Sequence, residues 1–170
     1  MEFQLTSNAR KEVFEEIGNY LSGLNLKVVA SDFQRPWGGF FVIDESQAKQ
    51  FAELFFPGVD ISSLRISGKL SPKILVVEPK KRLSWQYHHR RAEIWRTLSG
   101  KVGVVTSMTD EEKETHTLTP GQEIRLAQGQ RHRLVGLADW GVLAEIWQHT
   151  DAQNPSDEND IVRVQDDFGR

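Results

Sequence analysis

The sequence predicts a mainly β domain, an antiparallel barrel or sandwich with one or two helices packed outside it, and three observations carry that reading. From Pro72 onward, β-rich runs are short and closely spaced, with turn residues between them. Helical periodicity of three to four residues is confined to two stretches in the first third of the chain. At 170 residues the chain can bury one ordinary core, and a second full domain is not expected.

Taken in order, Ser7 and Asn8 stand where a helix cap is wanted, before apolar positions Val13, Phe14, Ile17, Leu21 and Leu24, with Gly23 near the end. A short β-rich run follows at 26–30, and another at 39–43 after the turn Arg35-Pro36-Trp37-Gly38. From Asp44 or Ser46 to Phe56 the pattern is helical, with Ala48, Phe51, Ala52 and Phe55 on one side and Pro57-Gly58 as the stop. This segment, near 45–57, reads as an insertion or lid. Strands are then expected at 73–78, 82–87, 93–98, 101–106, 115–118, 123–126, 132–135 and 142–148. Residues 151–160 are a polar loop, 161–164 a last strand, and the chain ends on Asp-Asp-Phe-Gly-Arg. Residues 1–34 are thus a helical extension and residues 35–170 the barrel domain.

Composition excludes several classes. The net charge of −3 and pI near 6.0, with basic residues scattered rather than striped, argue against a nucleic-acid surface. With no cysteine there is neither a disulfide framework nor a thiolate metal site, so a metal would need nitrogen and oxygen ligands. The first twenty residues carry charges throughout, and no apolar run approaches the roughly 20 residues that span a bilayer. The expectation is a cytoplasmic protein that binds no membrane.

The chemistry concentrates between Leu83 and Gly136. Gln86 and His88 are two apart, so on a strand they share a face; Glu93 follows closely and His132 much later, on what neighbouring strands of a small barrel can bring together. An amide oxygen, two imidazoles and one carboxylate carry a single negative charge, so a bound divalent cation would keep positive charge and remain a Lewis acid. Zinc is the favoured ion, and manganese, iron, cobalt and nickel suit the same ligands.

This spacing resembles the two-part cupin signature, in which a His-x-His pair, a Glu and a later His hold a metal inside a β-barrel. Gln86 stands where the first His is usual, Lys80 and Ala127 where Gly and Pro are usual, and Gly136 where Asn is usual. The Gln-x-His form is similar to phosphomannose isomerases. More closely, RPWGGF from Arg35, LSWQYHHRRAEIWR from Leu83, GQRHRL from Gly129 and ENDIVRVQDDFGR from Glu158 resemble the isomerase domain of type II phosphomannose isomerases, in family order. That family has a run of three His after the Gln; here Arg90 takes the third place. The resemblance implies a single cupin (jelly-roll) barrel, metal ligands Gln86, His88, Glu93 and His132, and interconversion of mannose 6-phosphate and fructose 6-phosphate. It also implies a homodimer. The nucleotidyltransferase half that often precedes this domain is expected to be missing, since no Gly-rich phosphate loop is present.

Such an exchange through an enediol needs a cation near the developing oxyanion, an acid/base group and a phosphate grip. Arg91, two residues before Glu93, can point into the same cavity, and type I enzymes have a Lys at that offset; Arg163 loosely resembles the segment carrying an active-site Arg there. Glu145 is the candidate base. Arg35, Lys73 and Arg170 are candidates for the phosphate. Against these stand plainer readings. Arg91 and Arg163 could form surface ion pairs, His89 points outward from His88, and His116 and His149 are read as solvated. Trp37 reads as a core anchor, Trp85, Trp95, Trp140 and Trp147 as barrel packing, and 110–114 as an exposed turn. A sugar-binding cupin without turnover, an iron oxygenase and an isomerase of another sugar such as lyxose remain open alternatives.

Overall fold

The computed structural model describes residues 3–64 and 68–170. Two antiparallel sheets face each other, and two helices cover the outer side of the larger one. The first helix, α1 (Arg10–Gly23), buries Val13, Phe14, Ile17 and Leu21 on one stripe, the face that the spacing predicts. Its cap differs from expectation. Ala9 is the N-cap, and Ser7 turns its amide (2.9 Å) and hydroxyl (2.7 Å) to the Glu16 carboxylate, which also takes the amide of Thr6 at 2.8 Å. Ser7 is turned toward a carboxylate nearly two turns into the helix, and Ala9, which has no side-chain oxygen, stands at the cap.

Strands β1 (Val28–Arg35) and β2 (Gly38–Ile43) form a hairpin, so the first strand begins and ends later than the apolar run at 26–30 suggests. Only Leu26 of that run is buried; Val28 and Val29 lie on an exposed edge. Gly38 at the turn has φ 145°, and a Cβ there would sit 2.0 Å from the Val76 carbonyl oxygen, so no side chain fits. A short 3-10 turn (Glu45–Gln47), capped by the Asp44 side chain, leads into α2 (Ala48–Phe55). This helix is no lid. Its face of Ala48, Phe51 and Phe55 belongs to the same apolar cluster as Val13, Ile17 and Leu21 of α1, packed against the sheet.

The remaining strands are β3 (Lys73–Val77), β4 (Trp85–Tyr87), β5 (Arg91–Ser99), β6 (Val102–Ser107), β7 (His116–Leu118), β8 (Glu123–Leu126), β9 (Arg131–Gly136), β10 (Gly141–His149) and β11 (Val162–Gln165). They stack as β1-β2-β3-β10-β5-β8 in one sheet and β11-β4-β9-β6-β7 in the other. Among the described residues the two sheets share no strand, so this is a jelly-roll sandwich rather than a fully hydrogen-bonded barrel.

The central strands of the large sheet are buried on both faces. In β3, Ile74 and Val76 face the helices while Leu75 and Val77 face the other sheet, which is why this strand reads as an unbroken apolar run. Leu75, Val77, Trp95 and Leu143 meet Val102, Val104 and Leu134 of the small sheet and fill one end of the space between the sheets. The other end is polar.

Candidate metal centre

Three strands supply the centre. Gln86 on β4 is the register partner of His132 on β9, and His88 follows one residue after β4 ends. Glu93 reaches across from β5 in the opposite sheet. One ligand atom from each of His88, Glu93 and His132 lies within 4.8 Å of the others, and all three side chains are buried. The Glu93 carboxylate stands 3.2 Å from His88 Nε2 through one oxygen and 3.5 Å from His132 Nε2 through the other.

The protonation pattern suits a cation. His132 Nδ1 faces the Gln130 carbonyl at 3.1 Å and His88 Nδ1 faces the Asp160 carbonyl at 2.7 Å; a carbonyl only accepts, so both rings carry hydrogen on Nδ1. Both Nε2 lone pairs therefore point inward. His132 Nε2 is buried without a hydrogen-bond partner, the kind of orphan atom that a metal ligand becomes when its metal is removed. Burial pushes the His132 pKa down to about 4, the Glu93 charge opposing, so the ring is neutral at pH 7. Burial alone would raise the Glu93 carboxyl, but His88, Arg91 and His132 outweigh it and hold Glu93 well below the carboxylate range. Gln86 is oriented by Ser84, whose hydroxyl donates to Oε1 at 2.6 Å and leaves Nε2 3.4 Å from His88 Nε2. With the amide turned over, Nε2 would donate to Ser84 and Oε1 would face the cluster, so Gln86 can serve as a fourth ligand.

A cavity opens in front of the cluster, and the other candidates named from sequence, Arg35, Lys73, Arg91, Glu145, Arg163 and Arg170, all line it together with Gln86 and Glu93. Arg91 is buried, not a surface pair. Its Nε donates to Glu93 at 2.8 Å, and the guanidinium lies 3.6 Å from the centroid of the Trp147 ring. Glu145 on β10 takes the Trp95 indole N–H at 2.7 Å on one oxygen and that of Trp147 at 2.9 Å on the other. Burial, and then the Glu93 charge, raise its pKa to about 7. Lys73 pairs with Glu158 from the loop above, and burial lowers its pKa despite the pull of Glu145. Arg35 pairs with Asp32 at 3.0 Å and Arg170 with Asp166 at 2.8 Å. The Arg163 guanidinium is held below its usual value by partial burial and by Arg170 beside it.

Some expectations fail here. His149 is fully buried: its Nδ1 accepts the Ser156 amide at 2.9 Å and its Nε2 meets the Ser71 hydroxyl at 3.1 Å, because β10 runs one residue further inward than 142–148 suggests. His116 and His89 are exposed as expected. Trp95 and Trp147 do more than pack, since their N–H groups aim at Glu145, and Trp37, though buried, lines the cavity. The signal for both indoles was present: Trp95 is two from Glu93 and Trp147 two from Glu145, hence on the same faces. Asp160 and Ser156 had no such signal. Burial pushes against ionisation of Asp160, but the Ser156 hydroxyl and the amides of His89 and Arg90 bring its pKa down to about 2.

Residues 44–166 match a protein family described as "Mannose-6-phosphate isomerase C-terminal". The chain belongs to this family. Two curated relatives agree with it. The alginate biosynthesis protein AlgA of Pseudomonas aeruginosa is 30% identical over 125 residues, 74% of this chain and 24% of that protein. The xanthan biosynthesis protein XanB of Xanthomonas campestris pv. campestris is 30% identical over 136 residues, 80% and 23% respectively. The chain thus spans about a quarter of the length of these relatives. Among solved structures, an oxalate decarboxylase from Bacillus subtilis superimposes with TM-score 0.53 at 13% identity, over 79% of this chain and 29% of that one, which is a likeness of fold. As a member of the mannose-6-phosphate isomerase C-terminal family, the chain is a mainly β cupin whose His88, Glu93 and His132 could hold a metal.

Proposed function

We propose that this domain is a metal-dependent aldose-ketose isomerase that interconverts mannose 6-phosphate and fructose 6-phosphate, with zinc as the metal. The observation that carries the reading is a pair of buried carboxylates driven apart by their surroundings: Glu93, ionised between two imidazoles, and Glu145, poised at about 7. Family membership supports the substrate pair, and the arginines at the cavity mouth suit a phosphate.

His88, Glu93 and His132, with Gln86, would hold the ion, which when bound supplies a Lewis acid for the oxyanion of an enediolate. Glu145 would take the proton from the carbon that bears the hydroxyl and return it to the carbonyl carbon, while the proton of that hydroxyl passes to the former carbonyl oxygen. In the metal-free protein burial raises its pKa to about 7, toward the value that a group taking and returning a proton needs, and the two indole N–H groups fix its aim. Arg91 keeps Glu93 ionised and turned toward the imidazoles. Arg35, Arg163 and Arg170 are placed for the phosphate, with Lys73 deeper, near Glu145. Trp37, Phe40 and Trp147 line the walls and exclude water from the reacting atoms.

The test is isomerisation of mannose 6-phosphate by the purified protein, with metal content measured on the same sample. Turnover that needs the metal and disappears in Glu145→Gln supports the reading; full turnover by metal-free protein rejects it. A second reading, a sugar-binding cupin without turnover, is favoured by Lys73 being already closed by Glu158 and by both Glu145 oxygens being engaged. Saturable binding of mannose 6-phosphate with no fructose 6-phosphate formed would select it.

A further inference from the structure

The two imidazoles of the cluster are held in different ways. His132 gives its Nδ1–H to Gln130, two residues back in its own chain segment. His88 gives its Nδ1–H to the backbone carbonyl of Asp160, 72 residues on. On the other side of that ring, Nε2 faces the Glu93 carboxylate at 3.2 Å, the Arg91 guanidinium at 3.3 Å and the Gln86 amide at 3.4 Å, so it is the Asp160 carbonyl that fixes a hydrogen on Nδ1.

The Asp160 carbonyl is kept in place by the Asp160 side chain. One carboxylate oxygen accepts the His89 amide at 2.9 Å; the other accepts the Arg90 amide at 2.9 Å and the Ser156 hydroxyl at 2.6 Å. Those amides belong to the turn between β4 and β5, immediately after His88, so Asp160 clamps the turn with its carboxylate while its carbonyl takes the ring. Ser156 extends the clamp. Its oxygen accepts Arg91 Nη1 at 2.9 Å, and the same guanidinium holds Glu93. Asp160, Ser156 and Arg91 are 3%, 7% and 5% exposed, so water offers no substitute partners.

We propose that Asp160 is a positioning residue for the metal centre: through its carbonyl it sets the tautomer and direction of His88, and through Ser156 it braces the Arg91 that orients Glu93. The inference rests on the metal reading given above. Asp160 itself lies outside the cavity, and its effect is on the aim of two ligands, with His132 left independent.

The test uses the full chain as wild type, Asp160→Ala, Asp160→Asn and Ser156→Ala, with Asp151→Ala as a control in the same loop, where Asp151 only accepts the amides of Gln153 and Asn154. In metal-free protein, ring-nitrogen NMR reads the tautomer of each histidine. His88 should be the Nδ1–H form in wild type and lose that preference in Asp160→Ala, while His132 keeps its own. With Co2+ added, chelator competition should give a roughly 10- to 100-fold weaker affinity in Asp160→Ala with displaced visible bands, a smaller loss in Ser156→Ala, and partial rescue in Asp160→Asn, whose one oxygen accepts two of the three donors.

Unchanged His88 tautomer and Co2+ affinity in the folded variants, or an equal loss in Asp151→Ala, would overturn the proposal. Should Asp160→Ala fail to fold, Ser156→Ala and Asp160→Asn decide it by the same readouts. If the wild type takes up no Co2+, the proposed function falls, and the metal-free tautomer comparison still decides the role of Asp160.

Discussion

The two faces of the six-stranded sheet are made by alternate residues of the same strands, yet they do opposite work. On β10, Ala144 and Ile146 face the helices, while Glu145 and Trp147 face the small sheet; on β5, Ile94 faces out while Glu93 and Trp95 face in. The outer face is closed by Phe51, Phe55 and the α1 stripe, which pack against Ile94, Ala144 and Ile146. The inner face keeps Lys73, Arg91, Glu93 and Glu145 from water at one end, each by pairing with another charge or an indole N–H. Apolar packing against the helices fills one side of a single layer and a polar cluster one end of the other, so substitutions one residue apart should separate the two.

The strongest challenge to that division is His132→Ala. It should remove the metal and, with it, isomerase turnover by roughly 10³-fold or more, several kcal/mol of transition-state stabilisation, while the melting temperature of the metal-free protein changes little. Metal analysis and a melt on the same sample check it. The converse is Phe51→Ala on the outer side, which should cost about 3–5 kcal/mol in denaturant unfolding and leave metal affinity per folded molecule unchanged. A parallel loss of affinity would show that the two faces are not separable.

Glu145→Gln sharpens the contrast, with an expected fall in turnover on the order of 10²-fold and retained metal. It carries a pH signature as well. Burial and the Glu93 charge raise the Glu145 pKa to about 7 in the folded metal-free protein, against about 4.3 for an unfolded Glu. Between those values the folded form binds a proton that the unfolded chain has released, so stability falls as pH rises through that window. In Glu145→Gln that slope should flatten. Smallest of all, Lys49→Ala, which breaks an exposed ion pair with Glu53 on α2, should stay within about 0.5 kcal/mol and alter no activity.

Much of this division is legible in the sequence. The strands of the second half fall within a few residues of their expected places, because their apolar runs are short and their turns carry Gly or Pro; Gln86, His88, Glu93 and His132 stand out because a period of two fixes which residues share a face. What escapes lies at long range. Nothing near Asp160 announces a bond to His88, and nothing near His149 distinguishes a buried imidazole from a solvated one. The sequence of α2 suggests a lid because its amphipathic pattern names a buried face without naming what covers it; the structure supplies α1 and the sheet. The start of α1 is misleading in sequence because the Ser7 hydroxyl, which looks like a cap, donates to Glu16 instead.

The position of β10 has a consequence for how the site comes apart. Glu145 lies on a strand paired on both sides, opposite Lys73 of β3 and Trp95 of β5, whereas most of the loop from 151 to 160 that fastens His88 is exposed. Amide hydrogen exchange should therefore be slowest at Glu145, released only by whole-molecule opening, and far faster along the loop. A gently heated sample would let go of the His88 ring while its central strands still hold, so the candidate metal centre would open before the fold does.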